Sequence, residues 1–255
     1  MVNLTKFGPD RGSVRSLPLM ALGLCGVLSM TACTTTPVPD AFNDPHEAQN
    51  RGIHEFNKEL DTLVLRPAGN VYVRYVPQPV AIGVSNFAGN MGLPGAVLND
   101  IFQLKIDDAA QNTGRFLLNS TVGLLGVLDP ASQMGLLEKP TDFGATLNFW
   151  GMPEGDYIEL PVLGPSTDRD MVGKAVDFFI DPTWLFVPRP LVYLSYGASV
   201  GATVGDRGRY SETIDSILYD SADGYAQARL LYLENRRYQL GQPAMTDTFE
   251  DPYAQ

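Results

Sequence analysis

Residues able to do chemistry are few in this chain. Gly197-Ala198-Ser199-Val200-Gly201 has the Gly-x-Ser-x-Gly spacing of a nucleophile elbow, in which a strand-to-helix turn presents a serine to a histidine base later in the chain. No histidine follows Ser199; both, His46 and His54, lie far upstream. The flanking Leu194-Ser195-Tyr196 and Thr203-Val204-Gly205 do not read as strand, turn and helix. Small residues that permit close helix contact or a bend account better for the spacing. His46 and His54 are adjacent to Glu47 and Glu55, but on a helix they stand about 12 Å apart, too far for a shared metal. They read as surface or capping histidines. Gly164-Pro165-Ser166-Thr167-Asp168-Arg169-Asp170 lacks the Gly-rich, Lys-terminated spacing of a phosphate loop, and its Thr-x-x-Asp suits a helix N-terminus. No carboxylate pair stands out as acid and base. The expectation is a protein that is not an enzyme and carries no cofactor and no metal.

Cys25 and Cys33 are the only cysteines, which excludes a disulfide framework and a Cys-rich zinc module. Lys6, Arg11 and Arg15 precede an uncharged run from Leu17 to Ala32, short of the roughly 20 residues that span a bilayer. A basic start, a short apolar run and small residues at its end describe a secretory signal. Leu28-Ser29-Met30-Thr31-Ala32-Cys33 resembles a bacterial lipoprotein processing site, with Met30 where that motif most often has Leu. The resemblance implies cleavage before Cys33, a diacylglycerol on its sulfur and, with Thr34 rather than Asp next, delivery to the outer membrane. The expected organisation is a signal peptide over 1–32, a linker over 33–43 after lipidated Cys33, one domain over 44–240 and a polar tail over 241–255.

The chain of 255 residues has 18 Lys+Arg against 29 Asp+Glu, a net charge of -11. Removing residues 1–32 takes away three basic residues and one acid, leaving the remainder at about -13. That acidity excludes a general nucleic-acid binder, which needs a basic footprint. At 44% hydrophobic the chain is too apolar for disorder.

The elements that must position any site are short helices. Asp44-Pro45-His46-Glu47 reads as cap, first turn and third position of a helix with Ile53, Phe56, Leu60 and Leu63 on one face, stopped at Arg66-Pro67. Pro77-Gln78-Pro79 opens a second helix and Pro94 another; Asp107 caps one through Phe116 and Leu117. Thr141-Asp142 and Thr167 begin two more, and Ser211–Asp220 and Ser221–Leu240 complete the series, while only Tyr157-Ile158-Glu159-Leu160 alternates like a strand. The expected class is all-α, with many short amphipathic helices and little or no sheet. Two runs lack charge altogether, Phe116–Leu128 and Pro190–Gly205. Each suits either a fully buried core helix or an element set in one leaflet or lining a pore. Gly123 and Gly126 suit either a flexible hairpin before Asp129 or tight helix packing.

An ordered series of motifs resembles the MlaA (VacJ) family of outer-membrane lipoproteins. It comprises Asp44-Pro45, Asn50-Arg51, Phe56-Asn57, Arg66-Pro67, Val76-Pro77-Gln78-Pro79, Gly83-Val84-Ser85-Asn86-Phe87, Arg115-Phe116-Leu117-Leu118-Asn119-Ser120-Thr121, Gly123-Leu124, Asp129, Phe143-Gly144, Trp150-Gly151, Gly164-Pro165-Ser166-Thr167 and Arg169-Asp170. His46, Ala48 and Gln49 depart from the family's first motif, and Asp168 stands where an apolar residue is usual, so it is expected to face water. The resemblance implies a ring-like helical domain in the inner leaflet of the outer membrane. It implies an amphipathic channel that removes misplaced phospholipid from the outer leaflet. The implied partners are a soluble periplasmic carrier (MlaC-like), which receives the lipid, and trimeric porins. Phe116, Leu117, Gly123, Leu124, Leu125, Gly126 and Asp129 are the candidate channel or hairpin residues. Asp44, Pro45, Asn50, Arg51, Asn57, Arg115 and Arg169 carry the family pattern. The alternative is a structural or assembly lipoprotein of the outer membrane without lipid transport.

Overall fold

The structure, a computed structural model, describes residues 43–243. The expected signal peptide, Cys33, most of the linker and the tail beyond residue 243 lie outside the described residues. In chain order the elements are α1 (Glu47–Leu60), a π-helical turn (Asp61–Leu65), α2 (Arg66–Tyr75), α3 (Gln78–Phe102), α4 (Ile106–Thr121), α5 (Pro130–Gln133), α6 (Phe143–Phe149), β1 (Tyr157–Leu160), β2 (Gly164–Thr167), α7 (Asp168–Ile180), α8 (Thr183–Phe186), α9 (Arg189–Arg209), α10 (Ser211–Leu218) and α11 (Gly224–Gln239). The fold is all-α apart from one antiparallel hairpin, with Tyr157 opposite Thr167 and Leu160 opposite Gly164.

Side-chain caps open several helices. Asp129, Asp142, Thr167 and Asp223 each accept the N–H three residues on, starting α5, α6, α7 and α11. Each such cap contributes about 1 kcal/mol. Four helix-boundary signals act otherwise than the sequence suggested. Asp44 does not cap α1, whose N-cap is His46; its carboxylate is committed to an ion pair instead. Asp107 lies in the first turn of α4, behind the N-cap Lys105. Pro67 does not stop the first helix but sits in the first turn of α2. Because it has no N–H, the chain widens just before it, and the Arg66 N–H reaches back to the Asp61 carbonyl, the long bond of a π turn. Pro94 opens no new helix and lies inside the 25 residues of α3. The bond it deletes is tolerated because α3 packs along both α4 and α9, and packing rather than propensity holds a helix in place.

α2 and α9 cross at near backbone contact. A Cβ on Gly208 would stand 2.3 Å from the Gly69 carbonyl oxygen, so this crossing needs glycine.

Burial is inverted relative to a water-soluble domain. Among the described residues, the buried side chains are mainly Asn, Asp, Arg and Thr, whereas Leu63, Leu104, Phe179, Leu185 and Phe186 are each at least 74% exposed. Among the described residues, the cluster of buried apolar side chains is small: Tyr157, Tyr225 and Leu233, with Tyr232 against it. The uncharged run Pro190–Gly205 is accordingly not a buried core helix; in α9 only Val192, Gly205 and Arg207 are buried. Phe116–Leu128 is not one helix either, since α4 ends at Thr121 and a loop follows. Apolar surface on this scale marks contact with a membrane or partner. No helix among the described residues is long and apolar enough to cross a membrane.

Candidate functional site

An apolar cavity of about 740 Å³ lies between α2, α3, α9 and the loop over 122–128. Val84 and Phe87 of α3, Leu124 and Leu125 of the loop, and Leu194 and Ala198 of α9 line it, and no charged residue does. Its volume suits a small organic ligand or part of a lipid. Gly197 and Gly201 keep the α9 wall low. A Cβ on Gly197 would meet nothing within 4 Å, and one on Gly201 would meet only Val84, at 3.5 Å. Small residues were expected here for close helix contact or a bend. At Gly197 they instead leave open space in an unbroken helix. Ser199 is exposed, and its hydroxyl donates to the Ser195 carbonyl 2.9 Å away, one helical turn back.

The loop wall is strained and tied. Leu124, Leu125 and Gly126 all have positive φ, at 54°, 62° and 94°. Non-glycine residues in that region cost on the order of 1–3 kcal/mol each. Gly126 has no alternative, because a Cβ there would lie 2.4 Å from the Cβ of Asn90. Asparagine side chains satisfy backbone in the loop and in α5, which follows it. Asn86 donates to the Val127 carbonyl (3.2 Å), Asn90 to the Leu125 carbonyl (3.4 Å), and the Asn119 side chain accepts the Ala131 N–H (3.1 Å). Asn119 also donates to Asp129 (2.9 Å), which pairs with buried Arg115 (3.2 Å). Burial raises the Asp129 carboxyl, but hydrogen bonds from Ser132, Asn119 and Arg115 outweigh it and hold the group below the ordinary carboxylate range.

Among the candidate channel residues, then, Leu124 and Leu125 line the large cavity and Gly123, Gly126 and Asp129 frame it. Phe116 lines a second apolar cavity, of about 330 Å³, with Pro94, Ile101 and Phe186. Leu117 faces outward, 58% exposed.

Most of the motif residues gather elsewhere. The Asp44 carboxylate accepts from Asn50 (2.9 Å), from the Tyr225 hydroxyl and from Arg229. Pro45 is exposed in the turn before α1. Asn50 also bridges to β1, donating to the Tyr157 carbonyl and accepting the Glu159 N–H, both at 3.0 Å. Arg51 forks onto Asp223 (3.0 and 2.7 Å) over the Tyr225 ring. Asn57 holds the hairpin turn, donating to the Leu160 carbonyl (3.0 Å) and accepting the Val162 N–H (2.7 Å). Arg115 belongs to the loop frame, and Arg169 is buried beside Asn148 (3.1 Å). Two further readings are corrected. His54 is no surface histidine but is 3% exposed, 3.4 Å from Glu159. Asp168 is half-buried and accepts the Asp156 N–H (2.9 Å).

Sequence reasoning missed the charge centres that lock the helices together. Arg207 of α9 forks onto Asp61 of the π turn (2.7 Å twice) and reaches Asp215 of α10 (2.6 Å). Arg236 of α11 binds Asp170 of α7 (2.9 and 2.8 Å) and Asp142 at the start of α6 (2.9 and 2.8 Å). Burial raises the Asp170 carboxyl, but the bonds from Arg236 and Tyr232 outweigh it and leave it low. The available signal was Arg207 standing just beyond a long uncharged run.

The model of the MlaA lipoprotein family matches residues 42–239. The chain belongs to that family. Two similar relatives are each named "Intermembrane phospholipid transport system lipoprotein MlaA". The one from Escherichia coli is 30% identical, over 87% of this chain and 88% of its own length; the one from Haemophilus influenzae is 28% identical, over 89% and 92%. A solved structure described as "Structural basis for maintenance of bacterial outer membrane lipid asymmetry" superimposes with a TM-score of 0.67 at 30% identity, covering 77% of this chain and 98% of that one. The MlaA match spans α1 to the end of α11, so the cavity, its loop and all seven motif residues fall within it.

Proposed function

We propose that this chain is an outer-membrane lipoprotein that takes phospholipid misplaced in the outer leaflet and passes it to a soluble periplasmic carrier, keeping the membrane's lipids asymmetric. Cys33 is the lipid anchor in this reading, the periplasmic carrier is MlaC-like, and trimeric porins are further partners. No bond of the lipid is made or broken. The observation that carries the proposal is the charge-free cavity of about 740 Å³ in a member of the MlaA family whose two named relatives belong to a phospholipid transport system.

The physical logic follows from the inverted burial. Apolar side chains facing outward favour a lipid environment, at about 25 cal/mol per Å² removed from water. Acyl chains entering between Phe87, Leu125 and Leu194 would exchange one apolar surrounding for another, so transfer needs no large desolvation step. Deleting the gene should raise the phospholipid content of the outer leaflet, and the wild-type chain should restore it. Unchanged outer-leaflet composition in the deletion strain would refute the proposal. Labelled fatty acid should enter the wild type and be lost in Cys33→Ser; its retention in that variant would refute the anchor.

A further inference from the structure

The proposed function fills a charge-free cavity but leaves one polar group of its wall without a task. Among the described residues that line the cavity, Tyr72 of α2 is the single one with a polar side-chain group. The α2–α9 crossing fixes its ring. Tyr72 stands three residues after Gly69, and Gly205 three before Gly208. The register that brings Gly69 and Gly208 together therefore also lays the Tyr72 ring on Gly205, where a Cβ would stand 2.8 Å from its Cε1. Gly201, one turn along α9, lines the cavity beside it. The hydroxyl at the end of the ring is buried and makes no hydrogen bond among the described residues.

The tyrosines around the charge centres are treated differently. Tyr157 donates to Glu159 (2.6 Å), Tyr219 to Asp61 (2.8 Å), Tyr232 to Asp170 (2.6 Å) and Tyr225 to Asp44. A ring needed only for packing would be served by phenylalanine, which has the same shape and no buried donor lacking an acceptor. The acceptor for Tyr72 therefore has to arrive with a guest of the cavity. Three properties define that guest. It is apolar over most of its length, because the rest of the wall is apolar. It carries a hydrogen-bond acceptor. That acceptor is neutral, because a phosphate or carboxylate would meet no cation in this wall, and one phenol does not offset the loss of its water. A plain hydrocarbon fails the second condition and a lipid phosphate the third. An acyl ester meets all three, since its alkyl chain ends in an uncharged carbonyl oxygen.

We infer that Tyr72 recognises the acyl ester. Its hydroxyl donates to the ester carbonyl of a lipid whose chain lies in the cavity, which sets how deep the chain enters and favours ester-linked over ether-linked lipids. This rests on the lipid reading proposed above, and the test separates the two. The full lipidated chain in detergent would be offered equal amounts of phosphatidylethanolamine with ester-linked chains and of its diether analogue of the same chain length, which lacks the carbonyls. Native mass spectrometry would count the bound lipid. The wild type should bind the ester form about fivefold over the diether, the worth of one neutral hydrogen bond. Tyr72→Phe should bind the two equally and melt no lower than the wild type. Equal binding of both lipids by the wild type, or an ester preference kept in Tyr72→Phe, overturns the inference and leaves the proposed function standing. A lower melting temperature in Tyr72→Phe would give the hydroxyl a partner within the protein and would overturn it too. Binding of neither lipid by the wild type overturns the proposed function as well.

Discussion

The α1–α11 side and the α3–α4 side of the molecule meet the same demand, polar groups buried beneath apolar surface, by opposite chemistry. On the first, Arg207, Arg229 and Arg236 pair with Asp61, Asp44 and Asp170 and tie separate helices together. On the second, neutral asparagines carry most of the load. Asn86 and Asn90 bind the loop, Asn119 binds the first turn of α5, Asn112 donates to Asp100 (2.8 Å), and Asn99 donates to Asp177 (2.8 Å). The carboxyls register the difference. Asp170 and Asp215 face guanidinium groups and sit below the ordinary range despite burial. Asp100 and Asp177 are pushed up, chiefly by burial, which their hydrogen bonds only partly offset. Charge pairs resist separation, so they suit a fixed frame. Neutral amides hold backbone without fixing charge beside a cavity that must accept an apolar guest.

The largest effect expected from this contrast is on the paired side. Arg207→Ala leaves the Asp61 carboxylate buried and unpaired and should cost about 3–5 kcal/mol in denaturant unfolding. The double variant Asp61→Leu with Arg207→Met should recover most of that, and failure to recover would mean the pair does more than neutralise charge.

Glycine substitutions should split by region. Gly126→Ala forces a Cβ against Asn90 at a φ of 94° and should lower stability by about 1–3 kcal/mol. Gly197→Ala enters open space inside α9 and should raise it by about 0.5–1 kcal/mol. Thermal melts of the two variants check the pair, and equal effects would erase the distinction between wall and opening.

Much of this was legible in the sequence, and the rest was not for physical reasons. Caps at Asp142 and Thr167 are local chemistry, readable from four residues. The helical class and the two uncharged runs follow from periodicity and composition. Pro67 and Pro94 misled because helix continuity there depends on α9 and α3 packing, which no local window contains. Asp44 looked like a cap because its true partners, Tyr225 and Arg229, lie far away in the chain. Leu124 and Leu125 stand in the uncharged run beside Gly126, a signal that composition alone carries, and they line the cavity. Asn90 and Gly197, which shape the same cavity from α3 and α9, carried no signal that separates them from ordinary helix residues.

The smallest effect is one of sign. The Asp170 contribution is present above the ordinary carboxylate pKa and is lost as pH falls through its lowered folded value. Asp100 runs the other way: its contribution is present at low pH and is lost as pH rises through its raised value. Asp100→Asn should therefore stabilise the protein at neutral pH, and the gain should vanish at pH values below the ordinary carboxylate range. Asp170→Asn should destabilise at neutral pH. Unfolding curves collected from pH 3 to pH 7 would show the crossing, and parallel behaviour of the two variants would contradict the assignment.

The central claim is that acyl chains of a phospholipid occupy the cavity between α3, α9 and the 122–128 loop. Placing a photoreactive side chain at Ala198, on the α9 wall, and irradiating living cells tests it directly. The account predicts covalent capture of phospholipid from Ala198 well above that from Glu212 on α10. Equal capture at the two positions, or capture of protein alone at Ala198, would contradict it.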